Sequence, residues 1–214
     1  YFTMLGLQES GEIDLIKNMA DNFTYLVQTY GFIPNGNRAY YLSRSQPPFY
    51  AMVLQLLAEE KGEETLADYL PHLEREYSFW MDGADRLPNS ETAYRRVVKL
   101  KDGEILNRYW DDSPEPRPES YYEDVELSEH SGQAPEQLYR NLRAACESGW
   151  DFSSRWLREP ADLGTIHTSE IIPVDLNCLV YNMERTLARA HAAGGNQQKA
   201  MQYRNRAQQR KVAI

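Results

Sequence analysis

Amphipathic helical stretches alternate in this chain with long polar loops, and that alternation constrains the fold more than any other feature of the sequence. Ile16, Met19, Phe23, Leu26 and Tyr30 recur at spacings of three and four, which predicts a helix over residues 12–30, with Ser10 available as its cap and Gly31 as its end. Pro47-Pro48 opens a second helix to about Glu60, and a partner over residues 63–81 carries Leu66, Leu70, Leu73, Tyr77 and Trp80 on one face. The Lys61-Gly62 junction makes these two an antiparallel hairpin. Further helices are expected over residues 135–147, 174–193 and 196–212, with Gly194-Gly195 between the last two. Among them, Val97-Val98-Lys99-Leu100, a Lys101-Asp102-Gly103 turn and Ile105-Leu106-Asn107-Arg108-Tyr109 read as an inserted β-hairpin.

The loops at residues 31–46, 107–120 and 148–156 are dense in Asn, Arg, Asp and Trp, and Pro114, Pro116 and Pro118 exclude a helix or a central strand from the second. Stacked helical hairpins whose loops gather at one end form an all-α, α/α toroid with a polar central pocket. A plain helical repeat stack is the alternative, but its loops are normally shorter and less aromatic. The chain begins at Tyr1 without Met and stops directly after a helical pattern, so it is expected to be a piece of a longer protein.

Composition narrows the partners. A net charge of -9 argues against a general binder of nucleic acid, and no apolar run approaches the ~20 residues of a membrane span. Cys146 and Cys178 lie in different predicted helices without metal or redox spacing and are expected to be buried thiols. His72, His130, His167 and His191 form no metal-ligand set, and no cofactor motif appears.

Each loop sets directed donors and acceptors beside aromatic rings: Asn35 with Arg44-Ser45-Gln46, Arg117-Pro118-Glu119, and Gly149-Trp150-Asp151-Phe152. Sugar hydroxyls need such groups, while Trp and Tyr cover the apolar face of a pyranose. Asp151 is the candidate general acid, because flanking by Trp150 and Phe152 would desolvate its carboxyl; the alternative is that it caps the following segment. Asp111 and Asp112 compete for the acid role, and Glu119 is better placed as an acceptor for sugar hydroxyls. Arg44 and Arg117 are expected to hold sugar hydroxyls or to orient a carboxylate.

The stretches IPNGNRAYYLSRSQPP (33–48), LNRYWDDSPEPRPES (106–120) and SGWDFSSRW (148–156) closely resemble trehalases of glycoside hydrolase family 37, particularly the bacterial ones. The likeness continues in register through YFTMLGL at the start, EYSFWMDG at 76–83 and IIPVDLN at 171–177. The resemblance implies that residues 1–214 are the N-terminal and middle part of an (α/α)6 barrel that hydrolyses α,α-trehalose to two glucose molecules with inversion, without cofactor or metal. It assigns the general acid to Asp151 of SGWD. Sugar binding falls to Asn35 of PNGN, to Arg44, Ser45 and Gln46 of SRSQPP, to Arg117, Pro118 and Glu119 of RPES, and to Gly149.

The same resemblance places a general-base Glu, and an upstream Arg and Trp-Asp pair, outside these residues. Inversion needs two carboxyl groups about 6.5–9.5 Å apart with water between base and anomeric carbon. The chain alone is therefore expected to be inactive, its partner being the remainder of the same polypeptide, and the complete protein to be a monomer. Two alternatives stay open: a non-catalytic sugar-binding or scaffold module, and an α/α-toroid hydrolase of a different glucoside. Periplasm and cytoplasm both remain open as the compartment, with the unpaired cysteines tilting toward the cytoplasm.

Overall fold

The computed structural model describes residues 1–87 and 91–214. Helix α2 (Ile13–Tyr30) turns Ile16, Ala20 and Val27 inward, and Gly31 closes it at φ 90°, donating its N–H to the Val27 carbonyl at 2.8 Å. Ser10 does not cap it: the hydroxyl turns back to the Gly6 carbonyl at 2.9 Å, at the end of α1 (Phe2–Glu9), a helix the periodicity did not announce. Only Met4 of α1 is buried, which explains the weak signal.

The hairpin across Gly62 forms with one break. Helix α3 (Tyr50–Lys61) is followed by α4 (Thr65–Asp68) and α5 (Leu70–Trp80) rather than by one continuous partner. Pro71 has no N–H to return to the Ala67 carbonyl and its ring crowds that carbonyl, so the helix restarts one residue before it. Leu66, Leu73, Tyr77 and Trp80 still face the core on both sides of the break.

The inserted β-element is a three-stranded antiparallel sheet, ordered β1 (Ala93–Tyr94), β2 (Val97–Lys99) and β3 (Ile105–Asn107). Val97 pairs with Asn107 and Lys99 with Ile105, as the hairpin reading requires, and β1 is the addition. Helix α6 (Tyr121–His130) is also additional; its one buried residue is Asp124, so it carries no apolar stripe. Helices α7 (Pro135–Ser148), α8 (Val174–Ala193) and α9 (Gln197–Ala213) lie where the pattern puts them.

Helix α8 packs against α3, α5 and α9 and contributes Leu176, Val180, Met183, Leu187 and Ala190 to the core. Each of the first four, fully buried, contributes about 1.5–3 kcal/mol. Cys178 sits two residues from both Leu176 and Val180 and is therefore rotated to the opposite face; it is exposed, contrary to expectation, whereas Cys146 is buried. Trp80, Tyr109 and Trp156 meet edge to face at 6.4 and 6.1 Å and tie the sheet region to the helices. Among the described residues no helix is long and apolar enough to cross a membrane.

Candidate active site

Helix α7 builds the site from below. Its last eight positions, Asn141 to Ser148, are all buried, and three of them, Asn141, Arg143 and Glu147, are strongly polar. Buried polar groups require partners, and the loops supply them. Glu147 Oε1 accepts from the Ser45 backbone N–H and hydroxyl, both at 3.0 Å, and from Arg96 Nη2 at 2.6 Å; its Oε2 accepts from the Trp110 N–H at 2.9 Å. Arg143 donates to Asp111 Oδ2 at 2.9 Å and to the Ser43 hydroxyl at 2.9 Å, while Ser43 itself donates to Asp111. Asn141 Oδ1 receives the backbone N–H and hydroxyl of Ser169. The loops at 31–46 and 107–120 are thus fastened to one helix, whose C-terminus runs into the third.

Above this base the candidate residues meet. Arg44, 1% exposed, donates Nε to Asn35 Oδ1 at 3.2 Å and pairs through Nη2 with Glu119, while its Nη1 is buried and unpartnered. Asn35 Nδ2 donates to the Cys146 carbonyl at 3.0 Å, and Gln46 Nε2 donates to the Asn35 carbonyl at 2.5 Å. Arg117 forks onto Asp124, with Nη2 to Oδ1 at 2.6 Å and Nε to Oδ2 at 2.9 Å, and its Nη1 reaches Cys146 Sγ at 3.4 Å. Burial works against the Arg117 charge, but Asp124 and the Cys146 sulfur outweigh it and hold the guanidinium above its ordinary range. Burial pushes the Cys146 thiol up, against the pull of Arg117 and Arg44, so it stays protonated and can donate to Asp151 Oδ2, 3.9 Å away.

Asp151 follows α7 directly. Gly149 ends that helix at φ 71°, a left-handed turn that glycine adopts without penalty, and the Asp151–Phe152 peptide is cis. Asp151 is exposed and Trp150 is 54% exposed, so the flanking aromatics do not seal the carboxyl from water as the sequence suggested. Trp150 turns outward under the Arg155 guanidinium, 4.3 Å from its ring, and Phe152 lies under Arg117. Nor does Asp151 act as a cap, since the Ser153 hydroxyl caps the short 3-10 turn Ser154–Trp156.

Arg44 and Arg117 each pair with a carboxylate, Glu119 and Asp124 respectively. Ser45 spends both its N–H and its hydroxyl on Glu147, so it anchors the loop. Pro118 is exposed and opens the 3-10 turn Pro118–Ser120, which sets Glu119 opposite Arg44. Asp111 is fully buried and paired with Arg143, whereas Asp112 is exposed and pairs with Arg95 at 3.0 Å.

Glu147, Asp124, Arg96 and Arg143 were not singled out in the sequence. Arg143 and Glu147 stand four apart on one helix, the spacing of an ordinary surface ion pair, yet each is buried and bonded to both the 31–46 and the 107–120 loops rather than to the other. A cavity of about 440 Å³, lined by Phe23, Asn35, Gln46, Phe49 and Tyr50, adjoins the Asn35 side of the cluster. A larger one, about 850 Å³, lies away from it between α5, α9 and the Asp102-Gly103 turn. Among the described residues no three His, Cys, Asp or Glu side chains are grouped to hold a metal ion.

Fold and site together define a helical-hairpin scaffold presenting a surface lined by arginines and carboxylates. The chain belongs to the trehalase family, whose model matches residues 1–214. It is 53% identical over its whole length to the periplasmic trehalase of Salmonella paratyphi A and to the putative periplasmic trehalase of Salmonella typhi, and it spans 38% of the length of each. Among solved structures it resembles the neutral trehalase of Saccharomyces cerevisiae, with a TM-score of 0.67 over 98% of this chain and 42% of that one, at 24% identity. That likeness bears out the expected fold: helices dominate, and the chain is part of a larger barrel.

Proposed function

We propose that the protein to which this chain belongs is an α,α-trehalase that hydrolyses trehalose to two glucose molecules with inversion, and that these residues supply its general acid and part of its glucose-binding surface. The observation that carries the reading is the continuous polar network from Asn35 and Arg44 to Glu119, and from Asp124 and Arg117 through Cys146 to Asp151, which gathers residues from all three loops. Arg44 Nη1 has no partner within that network, and a sugar hydroxyl would give it one. Glu119, held by Arg44, keeps lone pairs for the hydroxyls of the same ring.

In this reading Asp151 donates its proton to the glycosidic oxygen as the bond to the anomeric carbon breaks. The Cys146 thiol, bonded to Oδ2, leaves Oδ1 to face the leaving group. A carboxylate beyond these residues deprotonates the attacking water on the opposite face. Exposure of Asp151 fits a group that substrate and the rest of the barrel desolvate when they close over it. The relatives named as periplasmic support a periplasmic setting for this protein as well.

The full-length protein is expected to release glucose from trehalose with inverted anomeric configuration, read by proton NMR within the first turnovers. Asp151→Asn should lower kcat by at least ~10²-fold while trehalose binding, measured by calorimetry, stays within about threefold, because the amide keeps the shape but carries no transferable proton. Full turnover in that variant, or preferred hydrolysis of maltose over trehalose by the wild type, would contradict the reading.

A further inference from the structure

Glu147 is the most heavily bonded carboxylate of the site region, yet it has no part in the chemistry above. It is 0% exposed, lies at the end of α7 and is shared by three separate segments: the Ser45 N–H and hydroxyl, Arg96 Nε and Nη2, and the Trp110 N–H. Its partners stand 102, 51 and 37 residues away along the chain, so no local structure fixes them. Ser45 is flanked by Arg44 and Gln46, two candidate sugar-binding residues, and Trp110 leads into Asp111, which fastens the second loop. Arg96, on the segment between β1 and β2, also donates Nη2 to the Trp110 carbonyl at 2.7 Å, and its guanidinium lies 4.1 Å over the Phe79 ring. Glu147 therefore ties the Ser45 segment to the Trp110 segment, one helical turn from the second link between these loops that Arg143, Ser43 and Asp111 make.

We infer that Glu147 is a positioning residue for trehalose binding, setting the spacing between the Arg44 loop and the Trp110 loop without touching substrate; this rests on the function proposed above. The Asp151 turn is held separately. The Ser148 hydroxyl accepts from the Trp150 N–H at 2.9 Å, and Trp156 Nε1 donates to the Trp150 carbonyl at 3.0 Å. Neither contact involves the Glu147 side chain. Disturbing Glu147 should consequently loosen substrate binding while leaving proton donation in place, so that KM rises and kcat changes little.

The test is steady-state kinetics of the full-length protein carrying Glu147→Gln. An amide in this position keeps one acceptor but turns an N–H₂ toward Arg96 or Trp110, both donors, so one anchor is lost. KM for trehalose should rise at least ~10-fold with kcat within about threefold of wild type. Unchanged KM in a folded variant, or a fall in kcat alone, overturns the inference. Should Glu147→Gln fail to fold, Ser45→Ala removes a single hydroxyl contact; a KM raised about threefold supports the assignment, and a wild-type KM refutes it. A wild-type protein inert toward trehalose would overturn the proposed function instead. Amide hydrogen exchange in Glu147→Gln then decides the positioning role: faster exchange confined to residues 33–46 and 107–112 upholds it, and uniform or unchanged exchange rejects it.

Discussion

The α2, α3, α5 and α8 layer and the loop-bearing surface over α7 are held by opposite means. The first is apolar: Ile16, Leu54, Leu73, Val180 and Leu187 are buried with no direction to their contacts. The second rests on buried ion pairs, Arg96–Glu147, Arg143–Asp111 and Arg117–Asp124, whose side chains are at most 9% exposed. Hydrophobic burial supplies free energy but tolerates small shifts, whereas a forked guanidinium accepts its carboxylate in one geometry. The charged half is thus where positions are specified. Exposed pairs such as Arg158–Glu170 add little to either half.

Substitutions that treat the two halves alike should sharpen this contrast. The largest effect is expected from Asp111→Ala in the full-length protein, which strands Arg143 in the interior and should cost about 3–5 kcal/mol by urea unfolding. Trehalose affinity should fall as well, because Ser43 and the Ser113 N–H lose the same carboxylate. Leu187→Ala should cost about 2–4 kcal/mol through the cavity it leaves, yet KM per folded molecule should match wild type. If Leu187→Ala raised KM as much as Asp111→Ala does, the division of labour would be wrong.

A pH-dependent effect concerns Glu76, a buried acidic group in the apolar half. Burial pushes its carboxyl up to about 8, and Oε2 has no partner. The folded state therefore holds a proton that the unfolded chain releases near pH 4.5. Stability from this group is intact below that pH and declines as pH rises toward 8, by up to about 1.4 kcal/mol per unit. Glu76→Gln should flatten the decline between pH 5 and 8 in thermal unfolding. An unchanged slope would mean that Glu76 does not govern it.

Where sequence reading succeeded follows the same division. Periodic apolar residues announced α2 and α5, because a buried stripe repeats every three or four positions whatever its partner, while start and stop signals such as Pro47-Pro48 and Gly194-Gly195 announced α3, α8 and α9. Helix α6 stayed hidden, since Asp124 is the one side chain it buries. The candidate site was legible where loops concentrate Asn, Arg and Glu beside rings, as at Asn35, Arg44 and Glu119. The supporting carboxylates were not, because nothing local distinguishes Glu147 from a solvated helix charge. Its burial depends on Ser45, Arg96 and Trp110, all far away in sequence. For Asp151 the argument that Trp150 and Phe152 shield it failed, because neighbours in sequence need not face the same way.

Long-range fastening also sets an order of assembly. Ser45 precedes Glu147 by 102 residues, and at ~5–20 residues per second of synthesis the first loop emerges roughly 5–20 s before the helix that receives it. During that interval the α2–α3 hairpin can collapse on its own apolar faces, but the Arg44 loop has nothing to grip. Order in the Arg44 loop consequently waits for α7, and a chain released from the ribosome before Glu147 would keep the α2–α3 contact but lack both the anchors of that loop and the α8 packing.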